Sequence, residues 1–162
     1  MTRAILGNFK GGFTRLTLGG KWTPKVDAAI SLNNWDLISI DGVDWHSYEP
    51  LLPYANNIKW LRVSLGPDSS IGLDMLTGLE KLALNDYPKP APDFRKLPKL
   101  RELEVLWDIS RKSSYLANSN LESLSVDKLG DSDLTAFEAL TKLRQFKILQ
   151  GSLKSLKGID KL

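Results

Sequence analysis

The stretch Leu97-Pro98-Lys99-Leu100-Arg101-Glu102-Leu103-Glu104-Val105 reads L-x-x-L-x-x-L-x-V, two triplet steps running into a period-two ending. Side chains two apart point to the same side of an extended chain, so the ending reads as a short strand with one buried side. The same phrase stands upstream as Leu76-Thr77-Gly78-Leu79-Glu80-Lys81-Leu82-Ala83-Leu84. It stands downstream as Leu140-Thr141-Lys142-Leu143-Arg144-Gln145-Phe146-Lys147-Ile148. Self-similarity at a fixed period decides the architecture before any single element is assigned.

Aligned on the apolar triad L-x-x-L-x-L, the units begin at Phe13, Trp35, Ile58, Leu79, Leu100, Leu121 and Leu143, with separations of 22, 23, 21, 21, 21 and 22 residues. One such unit cannot bury its apolar side alone, whereas stacked neighbours build a continuous core. Leu76, Leu97 and Leu140 stand three residues before their triads, and Ile71, Phe94 and Phe137 lie further back. These supply the second half of the core from the segments that return between strands. Ala55 and Asn118 depart from the leucine pattern.

Over about Phe13 to Ile148 the chain resembles the leucine-rich-repeat family, whose units have this length and pattern. The resemblance implies an α/β leucine-rich-repeat solenoid. A curved parallel sheet would line its concave side, with irregular and short-helical returns on the convex side. Asp131–Leu140 reads as a short helix capped by Ser132 or Asp133. Three prolines in Tyr87–Pro92 exclude a regular helix there. Many family members carry Asn five residues after the second triad residue; here Val43, Gly66, Tyr87, Asp108, Leu129 and Gly151 stand instead. The turns must satisfy their backbone groups in another way.

The expected organisation is a single domain over 1–162. Residues 1–12 form an N-terminal cap as a hairpin with the first strand, 13–148 form seven units, and 149–162 form an incomplete last unit. Leu156, Ile159 and Leu162 repeat the triplet phrase and then stop. The expectation is either a short last unit, with an open C-terminal edge able to pair with another chain, or the N-terminal fragment of a larger receptor or regulator.

Composition narrows the function. The 162 residues hold no cysteine and one histidine, and the net charge is +3. No thiolate metal site or disulfide is possible. A signal peptide and a spanning segment are not found, so a cytoplasmic protein without membrane association is expected. His46 reads as a loop residue. The glycine pairs Gly11-Gly12 and Gly19-Gly20 lack the spacing and lysine of a phosphate loop. No catalytic residue, metal ligand or cofactor is expected.

What remains is the strand side that faces away from the core. One row reads Arg15, Leu37, Trp60, Lys81, Glu102, Ser123, Gln145; the next reads Thr17, Ser39, Arg62, Ala83, Glu104, Ser125, Lys147. Leu106 belongs to a third row, and Trp107 follows it. Large apolar groups on a polar surface mark interaction sites, and Trp and Arg are enriched where binding energy concentrates. The expected partner-binding set is Trp60, Arg62, Lys81, Glu102, Glu104, Leu106, Trp107 and Lys147. The expected activity is recognition of another protein on the concave sheet, a bacterial toxin-neutralising immunity protein being one such use. A nucleic-acid-binding module is the alternative, but Glu102 and Glu104 weigh against a phosphate-tracking surface.

Overall fold

The computed structural model describes residues 2–86, 89–107, 115–130 and 133–161. Eight strands form one sheet: β1 (Arg3–Asn8), β2 (Thr14–Gly20), β3 (Leu37–Val43), β4 (Trp60–Leu65), β5 (Lys81–Leu84), β6 (Glu102–Leu106), β7 (Ser123–Asp127) and β8 (Gln145–Ile148). They lie side by side in chain order. Every pair is parallel except β1 with β2, which form an antiparallel hairpin over the turn at Lys10–Gly12. The fold is mixed α/β, and among the described residues its helices are few and short.

The register reproduces the triad alignment residue for residue. Leu16, Ile38, Leu61, Leu82, Leu103, Leu124 and Phe146 stand abreast, as do Leu18, Ile40, Val63, Leu84, Val105, Val126 and Ile148. From β2 to β7 these two rows are buried and belong to one core cluster. Parallel strands cannot be joined by tight hairpins, so each connection crosses the core side of the sheet and adds its own apolar residues.

Three of the returns use a single 3-10 turn. Leu73, Phe94 and Phe137 sit in such turns and are fully buried, as are Leu76 and Leu97 three residues later. Ile71, expected among them, is 54% exposed. Leu73 takes the place because it stands six residues before its triad, in phase with Phe94, Tyr115 and Phe137. The expected helix over 131–140 reduces to a 3-10 turn at Thr135–Phe137. Its N-cap is Leu134, which offers no side-chain cap, and Asp133, just ahead, accepts from the Thr135 backbone N–H at 3.1 Å and hydroxyl at 2.7 Å. Residues 131–132, including Ser132, lie outside the described residues, as do Tyr87, Pro88, Asp108 and Leu162.

The first return holds an α-helix, α1 (Pro24–Ser31). Thr23 accepts from the Val26 N–H as N-cap, and Pro24 occupies the first helical position, where a missing N–H costs nothing. Val26 and Ile30, one turn apart, carry the buried stripe. Beside it Trp22 and Trp45 meet edge to face at 5.1 Å.

Neighbouring units are tied by a repeated backbone joint. The carbonyls of Lys59, Glu80, Arg101 and Glu122 each accept two N–H groups, from the pairs 80/81, 101/102, 122/123 and 144/145 of the next unit. The missing Asn positions are met case by case. Asp86 accepts from the Gly66 N–H at 3.0 Å, and Leu129 pairs with Gly151 as an isolated bridge. Asn118, where the pattern asks for leucine, is 4% exposed. It donates to the Phe94 and Leu97 carbonyls at 3.1 and 3.0 Å and accepts from the Asn120 N–H at 2.9 Å. This buried polar group is satisfied by bonding the preceding unit's turn.

Candidate protein-binding face

The returns cover one face of the sheet and leave the other open. Strand register brings the expected rows together there. Trp60 stands beside Lys81, then Glu102, Ser123 and Gln145. Arg62 stands between Ser39 and Ala83, with Glu104, Ser125 and Lys147 following. The third row holds at Leu106, which faces Asp127, but slips between β3 and β4, where Asp41 faces Leu65.

At one end of this face lies a second apolar cluster. Phe13 begins the first triad but does not join the core. Its ring lies 5.4 Å from that of Trp60, two strands away, and 6.1 Å from that of Phe9. The reason is local: the first unit is preceded by a hairpin turn, not by a return that would draw Phe13 inward. Leu37, on the strand between, is 4% exposed and yet lies outside the core cluster. Its cover therefore comes from the open side. Cations sit over both outer rings, Arg15 at 4.9 Å from the Phe9 centroid and Lys81 at 5.2 Å from that of Trp60. Such contacts contribute about 0.5–1 kcal/mol at exposed sites.

Lys81 also pairs with Glu102 at 2.8 Å, both side chains being nearly half exposed. This pair is worth about 0.2–1 kcal/mol and mainly fixes the two side chains relative to Trp60. Beyond it the face dips. The depression has small residues, Ala83, Ser123 and Ser125, in its floor, with Trp60 and Lys81 at one side and Lys147 at the other. Glu104 lies in the dip and has no ion-pair partner among the described residues. Leu106 lines a neighbouring depression with Asp127 and the exposed Leu149.

Five of the eight expected residues thus line one depression: Trp60, Lys81, Glu102, Glu104 and Lys147. Arg62 is exposed on the same face, and Leu106 sits at its margin. Trp107 is a correction. It is 4% exposed and packs in the core at 5.6 Å from the Tyr115 ring and 5.1 Å from that of Phe137. The period-two rule signals this, because Trp107 shares its phase with the buried Leu103 and Val105. Sequence reasoning omitted Phe9 and Phe13; their signal is aromatic spacing beside an arginine, which composition alone does not place on a face.

Among the described residues, no group of three or more His, Asp or Glu is arranged to hold a metal ion. Among the described residues no helix is long and apolar enough to cross a membrane. Compared with models of known protein families and with curated proteins, the chain matches none.

Proposed function

We propose that this chain is a leucine-rich-repeat solenoid that acts as a non-catalytic, cytoplasmic scaffold and recognises a partner protein on the open, concave face of its sheet. The observation that carries the reading is the composite patch around Trp60. A half-buried indole is held in place by Phe13 and Lys81, and a depression with a free carboxylate at Glu104 begins beside it. An immobilised aromatic anchor loses little freedom on binding, which favours it as an energetic centre. Charges of both signs within one dip fit a protein surface better than a polyanion, against which Glu102 and Glu104 would be opposed. Neutralisation of a toxin by occlusion is one use that suits such a scaffold.

The test is a capture experiment from lysate of the source cell with wild type and with the Trp60→Ala/Glu104→Lys double variant. A protein retained by the wild type and lost by a folded double variant supports recognition on this face. Equal retention by both moves the site elsewhere and refutes the assignment. Nucleic acid in the captured fraction, with retention collapsing as salt rises, would favour the alternative reading.

A further inference from the structure

The two ends of the sheet differ in a way that bears on assembly. Strand β1 ends the sheet on one side. Natural edge strands are commonly blunted by charge, proline or a bulge. The sequence of β1, Arg-Ala-Ile-Leu-Gly-Asn, holds one charge, and that charge is turned away from the edge. The Arg3 side chain runs across β2 to Asp41 on β3, donating to its carboxylate at 2.8 Å and its carbonyl at 3.1 Å. Gly19 makes the crossing possible, since a Cβ there would lie 2.6 Å from the Arg3 Nε and 2.9 Å from the Asp41 carbonyl. The edge left behind is neutral and apolar, with Ile5 56% and Leu6 42% exposed.

We propose that this edge is an interface for a second copy of the chain, formed by antiparallel pairing of β1 with β1 across a two-fold axis. The backbone phase fits. Phe9 donates its N–H to the Phe13 carbonyl, so Gly7, Ile5 and Arg3, in the same phase, turn their backbone groups to β2. Ala4, Leu6 and Asn8 turn theirs outward. Pairing centred on Leu6 sets it against its own copy and sets Ala4 against Asn8, so all the outward groups find partners. The side chains are self-complementary as well. Ile5 meets Gly7 of the second copy, a large residue against one with no side chain. Leu6 shares its face with Leu16, so the join places the two Leu6 side chains together on the core side. No like charges are opposed, because Arg3 is held by Asp41. At the other end, β8 and the residue after it carry Lys147 and Leu149 on the open side, and the charge there works against the same pairing. An isologous contact closes on itself and stops at the dimer. A pairing of six residues lies at the small end of interface sizes, so the dimer depends on concentration.

The test is sedimentation of the full chain over a concentration series, with the same series for Leu6→Lys, which sets two ammonium groups against each other on the axis. The mass of the wild type should double with concentration, at low and high salt alike. The variant should stay monomeric with an unchanged circular dichroism spectrum. The chain holds no cysteine, so a single-cysteine variant gives a second reading that survives any folding defect of Leu6→Lys. Hydrogen-bonded antiparallel partners stand about 5.5 Å apart at Cα, within the range a disulfide spans. Leu6→Cys should therefore oxidise to a covalent dimer, while Leu149→Cys at the opposite end should not. A wild type that is monomeric throughout overturns the proposal. So does a dimer that Leu6→Lys leaves intact, or cross-linking of Leu149→Cys as fast as Leu6→Cys. These results read the β1 edge alone; the depression beside Trp60 is lined by residues of β4 to β8 and is tested separately by the double variant.

Discussion

Gly78→Ala sets two opposed effects against each other at one position. Glycine to alanine where the native backbone suits alanine stabilises by about 0.4–1 kcal/mol through the unfolded chain. Gly78 has no left-handed backbone angle, so on that ground alone the substitution should help. The packing says otherwise. A Cβ on Gly78 would lie 2.5 Å from the Ala55 carbonyl oxygen, 2.6 Å from that of Asn56 and 2.8 Å from the Asn56 carbonyl carbon. All three are backbone atoms, and Gly78 itself donates its N–H to the Ala55 carbonyl at 3.0 Å. No rotamer change can relieve the contact; the two chain segments must separate and stretch that bond. Forced overpacking of this kind costs about 1–3 kcal/mol. Set against the chain-entropy gain, the net is a loss of about 1–2 kcal/mol, or about 2–8 °C in Tm for a domain of this size. The equivalent positions Lys99, Asn120 and Lys142 carry side chains, so Lys99→Ala serves as the control and should change stability by less than about 0.5 kcal/mol. Thermal and urea unfolding followed by circular dichroism measure both. A Gly78→Ala protein as stable as wild type, or more so, would refute the claim that the Ala55 and Asn56 backbone leaves no room for a side chain here.

Asn118→Ala removes two donated bonds and one accepted bond, while the Phe94 and Leu97 carbonyls keep a backbone donor each at 3.2 Å. At about 0.5–1.5 kcal/mol per bond the expected loss is about 2–3 kcal/mol in urea unfolding, and a loss under about 0.5 kcal/mol would show that the bonds are not formed in solution. Tyr48 is fully buried, and burial, with the Asp86 carboxylate nearby, drives its phenol far above the ordinary value of 10.0. The unfolded chain then ionises first, so stability is lost as pH rises beyond about 10. Tyr48→Phe should be neutral or stabilising at pH 7 and should flatten that alkaline fall in pH-dependent unfolding; an unchanged alkaline slope would count against it.

The strand alignment was legible because parallel neighbours in phase repeat the same environment. A triad written from leucine spacing alone thus matches the observed pairing at Leu61, Leu82 and Leu103 without a slip. The N-terminal hairpin was legible for a similar reason, the glycine pair Gly11-Gly12 separating two apolar runs. The failures come where a residue's surroundings break the repeat. Phe13 follows a hairpin in place of a return, so its ring turns to the open face. Trp107 looked like a surface anchor by residue type, but its phase placed it against Tyr115 and Phe137. Helix α1 was signalled by Thr23-Pro24 and by Val26 and Ile30, a period of four hidden among strand-length repeats. On the open face the rows could be written from the sequence. The bridge of Phe13 to Trp60 over Leu37 could not, because it joins units that are not adjacent in the repeat.

The doubled acceptors at Lys59, Glu80, Arg101 and Glu122 make the units interchangeable at their backbone joints. Each joint is made from backbone alone and is the same as the next. A barrel must meet itself, which fixes its strand count. Here nothing has to close, and one period can be copied or lost while the severed joint is remade by the equivalent carbonyl. The number of units and the residues on the open face can therefore change independently of one another.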